Sequence, residues 1–67
     1  MTIVKISTTE MVNLDCVQKI TLADNHLRFY TSVSEDVYIA KRGNAHEAFD
    51  WLHEQLKAGD TFIDITD

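Results

Sequence analysis

The feature that most constrains this chain is a change of hydrophobic period at residue 44. Up to residue 41 the apolar residues alternate with polar ones or gather in short β-branched runs such as TIVKIS at 2–7, the signature of strands. From Asn44 onward, Ala45, Ala48, Phe49, Leu52 and Leu56 recur every three or four residues, which is one apolar stripe along a helix. An alternating half followed by a single amphipathic helix predicts an α+β domain: a small antiparallel sheet of four or five strands, one C-terminal helix packed on one face, and a short terminal strand or tail.

Local signals place the elements. Residues 10–13 read as a second short strand or a continuation of the first, and Asn13-Leu14-Asp15 reads as a turn, because Asn and Asp side chains bond their own backbone. Strands follow at 16–22 and 26–31, joined by Asp24-Asn25, residue types that tolerate the positive φ of a two-residue hairpin. A polar loop at 32–36 leads into a strand at 37–41. Asn44 and Glu47 have the spacing of an N-cap with its reciprocal acid, and Gly59 is placed to end the helix in a left-handed conformation. Residues 61–66 (TFIDIT) form the last strand or an ordered tail.

Pairing Ala23 with His26 sets Leu22 against Leu27, Ile20 against Phe29 and Lys19 against Tyr30. Setting Thr31 against Val37 extends this to Phe29 with Ile39 and Tyr30 with Tyr38. Side chains alternate between faces. One face then collects Ile20, Leu22, Leu27, Phe29, Val37 and Ile39 as a core for Phe49, Leu52 and Leu56. The other collects Lys19, Thr21, Arg28, Tyr30 and Tyr38.

At 67 residues the chain is expected to form a single domain, 1–67, whose small core makes self-association into a homodimer an option. No apolar run approaches the roughly 18–20 residues of a membrane span. The opening residues lack the pattern of a signal peptide, and a lone cysteine, Cys16, cannot form an internal disulfide, so a reducing cytoplasmic setting is expected. Cys16 is read as a buried or half-buried strand residue. Two glycines cannot build a phosphate-cradling loop, and no water-excluding pocket is expected, which speaks against an enzyme.

Charge gives the function its direction. Six Lys and Arg against eleven Asp and Glu leave a net charge of −5. Residues 1–42 hold five cations and five anions, so all of the excess lies in 43–67, where Lys57 faces Glu47, Asp50, Glu54, Asp60, Asp64 and Asp67. Carboxylates projected from one helix and its tail can engage a basic surface electrostatically. Trp51 lies well over about 90° from the centre of the apolar stripe on a helical wheel, and is either covered by the tail or exposed as an anchor. His46, Asp50 and His53 share a helix face at a spacing that ligands of a divalent metal can adopt, but a solvated face collects the same residues, and no metal or cofactor is expected.

These readings converge on a small acidic, non-enzymatic protein-binding module. It would be an inhibitor or adaptor docking on a basic surface of a larger partner, with Glu47, Asp50, Glu54 and Asp60 steering and Trp51, Tyr30 and Tyr38 as anchors. Small acidic inhibitors from phages and mobile elements that block nucleic-acid-binding host defence complexes such as CRISPR share this size and charge, a likeness of class alone. The alternative is a small single-stranded nucleic-acid-binding regulator using Lys19, Arg28, Tyr30 and Tyr38 on the open sheet face, where rings stack bases and cations follow phosphates. The net negative charge makes nucleic acid the less expected partner.

Overall fold

The structure, a computed structural model, describes residues 1–40 and 44–66. Along these residues the elements run β1 (Ile3–Lys5), β2 (Met11–Asn13), a 3₁₀ turn (Leu14–Cys16), β3 (Lys19–Ala23), β4 (His26–Tyr30), β5 (Glu35–Ile39), α1 (Ala45–Lys57) and β6 (Phe62–Asp64). The class is α+β, but the strands form two three-stranded sheets, ordered β2-β1-β6 and β3-β4-β5, instead of one sheet of four or five. The division falls at the 3₁₀ turn. The Asn13 side chain accepts a hydrogen bond from the Asp15 N–H at 2.9 Å, and the turn redirects the chain between β2 and β3. Cys16 ends that turn and is exposed, a correction to its reading as a buried strand residue.

In the first sheet β2 runs antiparallel to β1, while β6 joins the other side of β1 in parallel. Val4 stands opposite both Val12 and Ile63, and all three are buried. In the second sheet, Asp24 and Asn25 both adopt positive φ, 51° and 62°, which matches the twist of a two-residue hairpin. The β3–β4 register is the one expected, from Lys19 opposite Tyr30 to Ala23 opposite His26.

The β4–β5 register differs. Tyr30 pairs with Glu35, Arg28 with Val37 and Leu27 with Tyr38, a three-residue slip from the expected alignment. An odd slip moves every side chain of β5 to the other face. Tyr38 is therefore core, 5% exposed, whereas Val37 and Ile39 look outward, Ile39 at 60%. The turn sets this. The Thr31 N–H bonds the Ser34 carbonyl at 2.9 Å, and the Thr31 hydroxyl accepts from the N–H groups of Val33 and Ser34, closing the loop at residues 31–34 so that the strand begins at Glu35. Lys41, the expected end of that strand, lies outside the described residues.

A single core joins the layers: Val4, Val12 and Ile63 from the first sheet, Leu27, Phe29 and Tyr38 from the second, and Ala45 and Leu52 from the helix. Helix α1 starts on two asparagines. Asn44 accepts from the Glu47 N–H at 3.1 Å as the N-cap, and Asn25, twenty residues earlier in the hairpin turn, accepts from the Ala45 N–H at 2.7 Å. Asn25 also donates to the Ala40 carbonyl at 3.3 Å, so one side chain ties the hairpin, the end of β5 and the start of the helix together. At the other end Gly59 takes φ +87°, and the bonds Gly59 N–H to Leu56 C=O and Asp60 N–H to Gln55 C=O form a Schellman closure.

Candidate functional site

The helix buries Leu52 and half-buries Ala48 and Phe49, which leaves the opposite stripe in solvent. At about 100° per residue, Glu47, Trp51 and Glu54 fall within about 60° of one another on that stripe. All three are exposed, and Trp51 shows half of its surface, 51%. Its position on the helical wheel allows Trp51 either cover by the tail or exposure. It stands beside the tail rather than beneath it, in a cleft of about 530 Å³ walled by Glu47, Ala48 and Trp51 on the helix and by Asp64, Ile65 and Thr66 on the terminal segment.

Asp64 reaches this cleft because β6 lies parallel to β1, which carries the residues after Phe62 back along the helix. Its carboxylate is fixed by its own neighbour. The Thr66 hydroxyl and the Thr66 N–H both donate to Oδ1, the latter at 2.9 Å. These bonds, the hydroxyl's first and the main-chain one second, hold the Asp64 carboxyl below the ordinary Asp value, with a smaller contribution from Lys5 across the strand. Asp64 belongs to the acidic excess but was not singled out as a site residue. The Asp-Ile-Thr spacing is the local signal for its ordered carboxylate, whereas its place beside Trp51 is a tertiary fact.

The other expected residues divide. The Asp50 carboxylate meets His46 Nδ1 at 3.1 Å, one turn back on the flank of the helix, so its steering charge is already engaged whenever that imidazole is protonated. Asp60 is exposed beyond the Schellman closure, roughly 20 Å along a thirteen-residue helix from its first turn. Glu47, Glu54 and Asp60 form no ion pair among the described residues. Tyr30 alternates with the fully buried Phe29 and so points away from the helix, and Tyr38 is in the core. Neither tyrosine belongs to the acidic face.

The open face of the second sheet is also changed by the β5 register. The expected Tyr30–Tyr38 cross-strand pair does not form. Lys19 Nζ sits 4.9 Å from the Tyr30 ring centroid, and Arg28 meets Glu35 at 3.7 Å, so both cations of the nucleic-acid alternative have partners within the chain. Among the described residues no three His, Cys, Asp or Glu side chains gather as a metal site would require, His46, Asp50 and His53 included. No described helix is long and apolar enough to cross a membrane.

Comparison of the chain with protein-family models, curated proteins and solved structures found no match.

Proposed function

We propose that the chain is a non-enzymatic protein-binding module, an inhibitor or adaptor, that docks its helix–tail cleft on a basic surface of a larger partner. The observation that carries this reading is the half-exposed Trp51 indole in an open cleft that Glu47 and Asp64 also line. An Arg or Lys side chain laid on the indole face gains a cation–π contact of about 0.5–2 kcal/mol. The carboxylates of the cleft add charge-assisted hydrogen bonds, and Arg in particular presents a planar fork that suits both. Glu54 extends the same stripe, and Asp60 adds long-range attraction, so the approach of a cationic partner is steered before contact. Surfaces lined with Lys and Arg are characteristic of proteins that hold nucleic-acid phosphates, which makes such a complex a fitting target for an acidic inhibitor.

The test is a charge reversal. Glu47→Lys, Asp50→Lys and Glu54→Lys combined remove the negative helix face at positions that are all exposed, so the fold is expected to survive. Tagged wild-type protein should retain a partner from its native host in a salt-sensitive manner, and the triple variant should not, while circular dichroism stays unchanged. Retention of the same partner by the folded triple variant would sink the proposal.

A further inference from the structure

We infer that two copies of this chain associate through β5, pairing antiparallel across a two-fold axis at Val37 to join their second sheets. The hydrogen-bond pattern of β5 shows which groups are free. Thr31 N–H bonds Ser34 C=O at one end of the β4–β5 ladder, and Ala40 N–H bonds Asn25 C=O at the other. Bonded pairs in an antiparallel ladder recur at every second position. Ser34, Asp36, Tyr38 and Ala40 therefore direct their main-chain groups at β4, and Glu35, Val37 and Ile39 direct theirs at the free edge. The same three residues carry exposed side chains, two of them apolar.

The other edges are less suited. Strands β2 and β6 are three residues long. Strand β3 has five residues, but its edge opens with Lys19, a side chain of the kind that blocks edge pairing, beside a groove of about 340 Å³ that it shares with the Phe49, Leu52 and Leu56 side chains of α1. Strand β5 has five residues, and beside it runs a groove of about 240 Å³ whose far wall is Ile6, Ser7, Thr8 and Thr66.

A second copy is the occupant because the edge is self-complementary in one register. A ladder centred on Val37 matches Glu35 with Ile39, Asp36 with Tyr38 and Val37 with Val37 of the other copy. All five strand residues are then paired, the outward main-chain groups of Glu35, Val37 and Ile39 meet one another, and no two carboxylates stand opposite. Centring on Glu35 or Asp36 sets like charges face to face, which destabilises a pair. Centring on Tyr38 or Ile39 leaves Glu35 without a partner inside the strand. Strand β5 holds no lysine or proline, the residues with which monomeric sheets most often block such pairing, and its two charges, Glu35 and Asp36, stand opposite Ile39 and Tyr38 in the Val37-centred register instead of opposite each other.

Strand β5 contributes no residue to the acidic cleft, so the two proposals stand or fall separately. Sedimentation equilibrium of the wild-type chain should give twice the 7.7 kDa of one copy. Val37→Lys and Val37→Glu should each be folded and at least tenfold weaker in self-association, because like charges then meet at the axis. Mixing the two variants in equal amounts should restore association, since Lys and Glu face each other there. Val37→Pro removes an N–H that points away from β4, so it should also yield a monomer with its sheet intact. A wild-type monomer at millimolar concentration overturns the inference, as does a dimer unaffected by Val37→Lys. Failure of the Lys and Glu variants to reassociate on mixing overturns the two-fold register.

Discussion

Asn25 offers the sharpest test of how the fold holds together, because three separable terms meet in one side chain. Its Oδ1 accepts from the Ala45 N–H at 2.7 Å, its Nδ2 donates to the Ala40 carbonyl at 3.3 Å, and its backbone sits at φ 62°. Ala45 is 1% exposed, so replacing Asn25 by alanine strands a buried N–H at the helix start, which costs about 1–3 kcal/mol. The longer bond to Ala40 adds about 0.5 kcal/mol. Alanine in the left-handed region adds about 1 kcal/mol more. The sum, about 2.5–4.5 kcal/mol, is a large share of the roughly 3–10 kcal/mol expected for a chain of this length. Three variants separate the terms. Asn25→Gly removes both hydrogen bonds but tolerates the positive φ, so it should cost about 1 kcal/mol less than alanine. Asn25→Asp keeps the acceptor and adds a negative charge at a helix N-terminus, so it should be the mildest of the three. Urea unfolding followed by Trp51 fluorescence and far-ultraviolet circular dichroism gives the free energies. The order Asp, Gly, Ala of increasing destabilisation is predicted. An alanine variant within about 0.5 kcal/mol of wild type, the usual effect of a surface change, would refute the bridging role.

Three further outcomes follow from the same structure. Gly59→Ala meets no steric clash but keeps φ +87°, so it should lower stability by about 1 kcal/mol, and a denaturation midpoint equal to wild type would contradict the Schellman closure. The Asp64 carboxyl should titrate below the ordinary Asp range by carbon-13 NMR, and Thr66→Ala should raise its midpoint. Because the folded value is depressed, the stability that Asp64 contributes is present above its unfolded pKa and lost as the pH falls through the folded one. A midpoint unmoved by Thr66→Ala would show that its hydroxyl does not hold the carboxylate. Finally, with Lys19 over Tyr30 and Arg28 against Glu35, no shift of single-stranded oligonucleotides is expected in a native gel even at low salt, and a salt-dependent shift would revive the nucleic-acid alternative.

What could be read from the sequence was what local chemistry decides. The Asp24-Asn25 turn admits one tight geometry, so the β3–β4 register followed from it. Asn44 and Gly59 bracket the helix with the two strongest capping signals, and its boundaries followed in turn. The β5 register did not, because apolar Val37 and Ile39 argued for one face while the Thr31 side chain, by closing the loop at residue 34, fixed the other. The parallel return of β6 to β1 joins residues some sixty positions apart, with no local signal for it. The site shows the same division. Glu47, Trp51 and Glu54 share a stripe that helical spacing alone predicts, whereas Asp64 beside them depends on that long-range pairing, and Tyr38 was lost to the core by the β5 slip.

The central claim is that a cationic side chain seats on Trp51 in a cleft lined by acidic groups, and the most direct measurement uses the indole itself. Trp51 is the chain's one tryptophan, so its fluorescence reports only on this cleft. Titration with a short arginine-rich peptide should change the emission in a saturable way, weaken as salt is raised, and fail for Glu47→Lys combined with Asp64→Lys, while a glutamate-rich peptide of equal length leaves the signal unchanged. Emission that stays flat with the arginine peptide at low salt, or that responds equally to both peptides, would contradict the account.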